Sequence, residues 1–186
     1  MAARAVFLDR DGVVNRAIVR QGKPHAPASL AEVAWLPGVG DAITALRSLG
    51  FRVIVVTNQP DVGKGVQPQE AVEAIHAELR RRFPVHDIRT CYHVEADGCG
   101  CRKPKPGLLL EAARQWEIDL RRSVMIGDRW RDIEAGRAAG CKTILIAAAY
   151  DEHSAQQPDA VVQSLAEASM LISSGWLDYQ PTEVGA

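Results

Sequence analysis

Short apolar runs alternate with segments of helical periodicity along most of this 186-residue chain. Because each apolar run is followed by a helical segment, consecutive strands are expected to lie parallel in one sheet that is covered by helices on both faces. The pattern predicts strands near residues 4–9, 52–57, 88–92, 123–127, 142–147 and 159–162. It predicts helices near residues 38–49, 67–82, 105–116, 131–139 and 163–173. The expected fold is therefore an α/β domain.

Two aspartates follow the first apolar run. Val6-Phe7-Leu8 has the length and character of a buried strand, and Asp9 and Asp11 come directly after it in the segment FLDRDG. Open α/β sheets bind their ligands in a crevice at the carboxyl ends of the strands, so both carboxylates are expected to face that crevice. Taken alone, the pair is explained equally well by a charged surface turn.

Further polar residues follow the other strands in a similar way. They are Thr57-Asn58-Gln59, the pair Arg102-Lys103 in CRKPKPG, Asp128 after Gly127, and Asp132. At an effective dielectric of about 20, carboxylates about 4 Å apart in one crevice repel each other by roughly 4 kcal/mol per pair. Such a site requires a hard cation and a lysine, which indicates Mg²⁺ and Lys103. A solvated surface lysine is the alternative for Lys103, and its place in the series argues against it.

Four soft or borderline metal ligands are concentrated in residues 91–101, namely Cys91, His93, Cys99 and Cys101. Three thiolates and one imidazole form a closed tetrahedral zinc set. A disulfide is disfavoured if the chain is cytosolic, because the cytosol keeps thiols reduced, and a chance cluster is the remaining alternative. The set has no open position and no neighbouring general base. We therefore expect a structural zinc that holds the adjacent Arg102 and Lys103. Cys141 is expected to be a small buried apolar residue.

The order of these motifs resembles that of the haloacid dehalogenase (HAD) superfamily of phosphohydrolases. In that superfamily Asp-x-Asp is followed by Thr or Ser, then Lys, then Gly-Asp-x-x-x-Asp, each at a strand end, and all four parts are present across residues 6–162. The cysteine and histidine loop before Arg-Lys-Pro-x-Pro-Gly is similar to that of the capless D-glycero-D-manno-heptose 1,7-bisphosphate phosphatases. Histidinol-phosphate phosphatases are close relatives. The resemblance implies a Rossmann-like, HAD-type sheet in a single domain, with an open site and no cap.

The resemblance also implies a role for each site residue. Asp9 is the expected nucleophile, and Asp11 the expected general acid and then base. Thr57 and Lys103 are expected to hold the transferring phosphoryl group, and Asp132 to orient Lys103 or a loop. The implied Mg²⁺ ligands are Asp9, the backbone carbonyl of Asp11, and Asp128. The implied zinc ligands are Cys91, His93, Cys99 and Cys101, and the implied substrate contacts are Asn58, Gln59, Arg102 and Arg129.

Two substrate-contacting loops depart from the family pattern. After Asn15 the heptose enzymes usually carry a Gly-Tyr-Val-type loop, whereas this chain reads RAIVRQGKPHAPASL at residues 16–30. After Thr57-Asn58-Gln59 they favour Ser-Gly, whereas this chain has Pro60-Asp61. The sugar is therefore left open, with histidinol phosphate or a broader set of phosphomonoesters as alternatives to heptose bisphosphate. The flap at residues 16–27 is either an ordinary polar loop or a site for a second phosphate, for which the candidates are Arg16, Arg20, Lys23 and His25.

Composition narrows the remaining functions. A net charge of −1 argues against nucleic-acid and anionic-membrane partners, and the cluster Arg80-Arg81-Arg82 suits the C-terminal end of a helix. No signal peptide precedes Asp9, and no apolar stretch approaches the roughly 20 residues of a membrane helix. We expect a cytoplasmic monomer that acts on a small phosphorylated substrate.

Residues 1–174 are predicted to form the phosphatase domain, with residues 175–186 as a loose tail. Two rival functions are a catalytically silent zinc-loop protein that binds a partner and a phosphatase of nucleic-acid ends. The complete acidic set argues against the first rival, and the net charge argues against the second.

Overall fold

The computed structural model describes residues 2–155 and 157–178. Within these residues the strands are β1 Arg4–Leu8, β2 Ile18–Arg20, β3 Lys23–His25, β4 Phe51–Asn58, β5 Asp87–Cys91, β6 Val124–Gly127, β7 Lys142–Ile146 and β8 Ala160–Val162. The helices are α1 Val39–Ser48, α2 Pro60–Gly63, α3 Gln69–Arg82, α4 Gly107–Trp116, α5 Trp130–Ala139 and α6 Leu165–Ser173. Short 3₁₀ helices lie at Leu30–Glu32, Glu95–Asp97, Leu120–Arg122 and Trp176–Asp178. None of the described helices combines the length and the apolar character that crossing a lipid bilayer requires.

Six strands form one parallel sheet in the order β5-β4-β1-β6-β7-β8. The chain builds outward from β1 to β4 and β5, and then returns to the other side of β1 for the remaining three strands. This order is that of a doubly wound Rossmann-like sheet, in which ligands bind where the direction of winding reverses. The reversal falls beside β1, whose carboxyl end carries Asp9. The predicted fold class is confirmed.

The central strands are buried on both faces, which accounts for their continuous apolar runs. Side chains alternate along each strand, so Val6 and Leu8 of β1 join a core on the face covered by α1 and α6. Ala5 and Phe7 point to the opposite face, where Leu109 of α4 covers them. The site at the strand ends therefore rests on a fully packed sheet.

All of the predicted strands and helices are present, with bounds that shift by up to two residues. The flap, expected to be irregular, instead contains an antiparallel hairpin in which β2 and β3 pair Arg20 with Lys23. Its two-residue turn, Gln21-Gly22, has positive φ at both positions, as a tight hairpin turn requires. Each strand of the hairpin has only three residues, and β3 includes Pro24. Neither strand is long enough to show a recognisable alternation of apolar and polar residues. The short helix α2 was also not predicted.

The packed part of the chain extends past residue 174, the predicted end of the domain. Trp176 and Leu177 lie against the core, and the Lys142 ammonium lies 5.0 Å from the centre of the Trp176 ring. Residues 179–186 of the predicted tail lie outside the described residues. The division into domain and tail therefore stays a prediction.

Candidate active site

Polar residues from separate parts of the chain meet at the carboxyl edge of the sheet. Asp9 follows β1, Asn58 ends β4 and Asp128 follows β6, while Lys103 comes from the loop that precedes α4. Asp9, Asn58 and Lys103 line a cavity of about 240 Å³ together with the flap hairpin. Residues that line the cavity include Asp9, Asp11, Lys23, His25, Asn58, Gln59, Asp61, Lys64, Arg102, Lys103, Arg129, Arg131, Asp132 and Glu152.

Lys103 is buried between two carboxylates. Its Nζ lies 2.9 Å from Asp9 Oδ1 and 2.6 Å from Asp132 Oδ1, and it donates a hydrogen bond of 2.7 Å to the Val56 carbonyl. Burial alone lowers the pKa of Lys103, but the charges of Asp132 and Asp9 outweigh it and raise that pKa above the ordinary value. The side-chain amide of Asn58 fixes the Lys103 backbone through bonds of 3.0 and 3.1 Å. Lys103 is thus held as a cation next to Asp9.

We call Asp9, Asp128 and Asp132, together with Lys103, the carboxylate centre. One lysine does not neutralise the charge of its three carboxylates. Burial raises the pKa of Asp9 to about 6 against the opposing effect of Lys103, and burial together with Asp9 and Asp132 raises the pKa of Asp128 well above its usual range. Ligand oxygens of the three aspartates lie within 4.8 Å of one another. Asp128 Oδ1 is buried without a hydrogen-bond partner among the described residues.

The chemistry of this donor set fits a hard cation. Asp132 gives one oxygen to Lys103 and the other to the Arg129 backbone N–H at 3.1 Å, which leaves Asp9 and Asp128 as the available carboxylates. Two carboxylates beside a space for phosphate and water match the preference of Mg²⁺. The first loop must approach Asp128 closely, because a Cβ at Gly12, where φ is 90°, would lie 1.8 Å from Asp128 Oδ2.

Asp11 is held by donors on both of its carboxylate oxygens. Gln59 Nε2 donates to Oδ2 at 2.8 Å, and Asn15 Nδ2 donates to Oδ1 at 2.9 Å. The Arg10 guanidinium adds bonds of 3.0 to 3.2 Å from its Nε and one terminal nitrogen. The other terminal nitrogen of Arg10 lies 3.1 Å from His76 Nε2 in α3. Burial, followed by the charge of Arg10, lowers the pKa of His76 to about 4, so this imidazole is neutral at pH 7.

The Cys/His loop, residues 91–101, gathers its four predicted ligands into one cluster. Their ligand atoms lie within 4.8 Å of one another, with sulfur–sulfur distances of 3.2 to 3.7 Å and 3.3 Å between His93 Nδ1 and Cys101 Sγ. Zn–S bonds of about 2.3 Å in a tetrahedron place sulfurs roughly 3.8 Å apart, so one ion fits this set. All cysteines are free thiols, which excludes the disulfide alternative in this structure. Cys141 lies apart and is buried, as expected.

The Cys/His loop is tied to the cavity on one side and to α4 on the other. Arg102 follows the loop directly, donates to the His93 carbonyl at 3.3 Å and is one of the residues that line the cavity. At the other side, Gly107 N–H donates to the Gly100 carbonyl at 3.0 Å, and a Cβ at Gly107 would lie only 2.3 Å from that oxygen. A metal in the cluster would therefore restrain Arg102.

The remaining predicted site residues differ in whether they line the cavity and in which protein groups they contact. Arg129 lines the cavity and forms an ion pair with Glu152, with 2.9 Å between Arg129 Nε and Glu152 Oε2. The Thr57 hydroxyl accepts a hydrogen bond of 2.9 Å from Gln59, and the Lys103 carbonyl accepts one from Asn58. The side-chain amides of Asn58 and Gln59 are therefore both bonded to other protein groups. Of the four flap candidates, Lys23 and His25 line the cavity, whereas Arg16 and Arg20 do not. The substrate roles of these residues stay predictions.

The sequence analysis did not predict several of the residues at the site. Arg10 stands inside the Asp-x-Asp motif, where its charge was a visible signal, but its partner His76 lies on another element. Tyr150 donates a hydrogen bond of 2.5 Å to Asp128 Oδ2 from the loop after β7. Glu152 comes from the same loop, and Lys64 follows α2. Only the packing of distant loops brings these residues to the site, so nothing in their local sequence indicated it.

Comparison with known proteins gives a consistent picture. The HAD-hydrolase-like family model matches residues 100–168. The D-glycero-β-D-manno-heptose-1,7-bisphosphate 7-phosphatase of Rhodopseudomonas palustris is 37% identical over 148 residues, covering 73% of this chain and 79% of the relative. The D-glycero-α-D-manno-heptose-1,7-bisphosphate 7-phosphatase of Mycobacterium tuberculosis is 34% identical over 155 residues, covering 77% and 80%. The crystal structure of D,D-heptose 1,7-bisphosphate phosphatase from B. bronchiseptica, complexed with magnesium and phosphate, has a TM-score of 0.78 at 29% identity and covers 92% of this chain and 99% of that chain.

Proposed function

This chain belongs to the HAD phosphohydrolases, which include the heptose 1,7-bisphosphate phosphatases, and we propose that it removes one phosphate from D-glycero-D-manno-heptose 1,7-bisphosphate. The observation that carries the proposal is the buried arrangement of Asp9, Lys103 and Asp132 beside Asp128, next to a Cys/His loop that ends in Arg102. The substrate is proposed from the relatives, and the reaction is proposed from the geometry of the site.

The first step transfers the phosphoryl group to Asp9. The Lys103 ammonium and the Arg10 backbone N–H both contact Asp9 Oδ1, which fixes the carboxylate and leaves Oδ2 as the oxygen proposed to attack phosphorus. The new bond joins Asp9 to phosphorus while the bond from phosphorus to the sugar oxygen breaks. A protonated Asp11 gives its proton to the departing sugar oxygen. Lys103 and the Thr57 region stabilise the charge on the phosphoryl oxygens.

The second step hydrolyses the aspartyl-phosphate. Asp11, now a carboxylate, takes a proton from a water molecule whose oxygen attacks phosphorus. The bond from phosphorus to Asp9 breaks, phosphate leaves, and Asp9 returns to its carboxylate form. Both steps place negative charge beside Lys103, and positioning plus such charge stabilisation supplies most of the catalysis of phosphoryl transfer.

Two metal ions fit the two ligand sets. Asp9, Asp128 and the backbone carbonyl of Asp11 would hold Mg²⁺, which when bound neutralises charge on the phosphoryl oxygens. Cys91, His93, Cys99 and Cys101 would hold a structural zinc. The expectations of a monomer, of a cytoplasmic location and of no nucleic-acid partner stay predictions.

Substrate choice is proposed to depend on cations around the open cavity. Lys23 of the flap hairpin, Lys64 after α2 and Arg102 after the Cys/His loop all line this cavity. A phosphate on the far end of a sugar bisphosphate suits such groups, since each hydrogen bond to a charged group is worth roughly 1.5–3 kcal/mol.

The test is phosphate release from both anomers of heptose 1,7-bisphosphate, the matching monophosphates and histidinol phosphate, with Mg²⁺ present. We expect a bisphosphate anomer to exceed the monophosphates by about tenfold or more in kcat/KM, because one charge-assisted contact gives that factor. Equal turnover of histidinol phosphate and heptose bisphosphate would rule out the heptose proposal.

A further inference from the structure

We propose that Arg10 and His76 form a positioning relay that orients Asp11 for the hydrolysis of the aspartyl-phosphate. The inference deepens the proposed function and rests on it. It assigns a purpose to two buried polar side chains that neither step of the reaction uses directly.

The position of Arg10 separates it from the substrate. Its side chain is fully buried and does not line the cavity, whereas Asp11 and Gln59 do. Arg10 therefore approaches Asp11 from behind, on the side away from the cavity. A buried guanidinium is retained only where its donors are paired, and here they reach Asp11 and His76.

The geometry of the guanidinium fixes the Asp11 carboxylate plane. One terminal nitrogen lies 3.0 Å from both Asp11 oxygens, and Nε lies 3.2 Å from Oδ1. A planar fork of donors restrains both rotation and tilt of a carboxylate, which a single contact cannot do. Gln59 and Asn15 complete the set of donors to Asp11, and Gln59, like Asp11, lines the cavity.

His76 fixes Arg10 in turn. Because a guanidinium nitrogen only donates, His76 Nε2 must accept through its lone pair, so the ring proton lies on Nδ1, which is 3.8 Å from Glu73 Oε2. His76 belongs to the buried face of α3, together with Val72, Ile75 and Leu79. The packing of α3 against the sheet is thus transmitted to Asp11 through two side chains.

The relay acts where Asp11 removes a proton from water. An activated aryl phosphate such as p-nitrophenyl phosphate separates this step from the first one, because nitrophenolate departs without a proton from Asp11, which instead loses its proton to solvent before it acts as the base. Loss of orientation should then slow hydrolysis of the intermediate while its formation continues. A general loss of structure would slow both steps together.

The experiment is rapid mixing of the Mg²⁺-loaded enzyme with p-nitrophenyl phosphate, comparing wild type with His76→Met, His76→Gln and Asp11→Asn. His76→Met removes the acceptor, whereas His76→Gln places an amide oxygen near the position of Nε2. We expect His76→Met to keep the initial burst of nitrophenolate but to lose about tenfold to hundredfold in steady-state rate, with phosphoenzyme accumulating. His76→Gln should recover most of that loss.

Equal slowing of burst and steady state in His76→Met, or equal rates in the Met and Gln variants, overturns the relay. If His76→Met does not fold, His76→Asn replaces it, because its shorter side chain cannot reach the Nε2 position. Asp11→Asn distinguishes the two levels of the proposal. Unchanged hydrolysis of the phosphoenzyme in Asp11→Asn overturns the proposed mechanism itself, whereas slow hydrolysis there with wild-type rates in His76→Met overturns the relay alone.

Discussion

The carboxylate centre and the Cys/His loop each bring ligand atoms within 4.8 Å of one another, but the chain builds them in opposite ways. The carboxylate centre takes Asp9, Lys103 and Asp128 from separate strand ends and loops and buries all of them. The Cys/His loop takes its ligands from residues 91–101, and only Cys91 among them is buried. A change in the first should therefore disturb the chemistry, and also the folding where it leaves a buried charge without its partner, whereas loss of metal from the second should disturb one loop.

The largest expected effect is that of Asp9→Asn on catalysis. The substitution keeps the size of the side chain and removes the attacking carboxylate, while Lys103 retains Asp132 and the Val56 carbonyl as partners. We expect Mg²⁺-dependent phosphate release to fall by about a thousandfold or more, with the fold intact by circular dichroism. Asp61→Asn, which changes another acid of the cavity wall, is the matched control. Near wild-type turnover in Asp9→Asn would remove the proposed nucleophile.

Lys103→Met tests whether the carboxylate centre also supports the fold. The substitution leaves Asp9 and Asp132 buried without their cation, and breaking a buried pair in this way costs roughly 3–5 kcal/mol. Without Lys103 the folded protein binds more protons than the unfolded chain, so the loss of stability should be larger at pH 8 than at pH 5. Urea denaturation of the metal-free protein at both pH values measures it.

Lys64→Met is the control for that measurement, because among the described residues Lys64 forms an ion pair with Asp61 alone, at the surface, and such pairs contribute about 0–1 kcal/mol. Equal stability of the two variants would show that the buried lysine is not needed to hold the carboxylates.

The Cys/His loop should respond locally. Metal analysis of the purified wild type should find about one zinc per chain, and Cys99→Ser combined with Cys101→Ser should abolish it. Because Cys99 and Cys101 are only partly buried and pack against the core without belonging to its buried residues, the double variant should keep its circular dichroism spectrum. Cys141→Ser, at the cysteine outside the cluster, should keep the zinc. Zinc retained by the double variant would disprove the ligand assignment.

The smallest expected effect concerns the flap hairpin. Lys23→Ala removes one cation from the cavity wall, and we expect the preference for bisphosphate over monophosphate to fall by about tenfold in kcat/KM. Arg20→Ala is the control, because Arg20 lies in the same hairpin but does not line the cavity. If both variants keep the full preference, the flap does not read the second phosphate.

The sequence predicted the parts of this molecule that depend on local pattern. Continuous apolar runs predicted the central strands β1, β4 and β6, because strands covered on both faces have no polar alternation. Strand-end polar residues gave the carboxylate centre, since parallel strands bring their carboxyl ends to one edge. The spacing of Cys91 to Cys101 gave the second ligand set directly, as all of its members are near neighbours in sequence.

What the sequence did not predict depends on packing between distant segments. The contact of Arg10 with His76 depends on how α3 is oriented relative to β1, and no local sequence pattern specifies that orientation. The flap hairpin has strands of three residues, too short for a period of two to be recognised. Tyr150 and Glu152 reach the site through the course of the loop after β7, whose sequence gives no sign of the destination.

The central claim is that the carboxylate centre performs the reaction while the Cys/His loop only positions the substrate through Arg102. Steady-state kinetics of the Cys99→Ser, Cys101→Ser double variant with heptose 1,7-bisphosphate at saturating Mg²⁺ tests it most directly. The account predicts a kcat within about threefold of wild type and a KM raised by about tenfold or more, the pattern of lost binding without lost chemistry. A kcat reduced by about a hundredfold at unchanged KM would contradict it, because the second metal centre would then take part in the transition state.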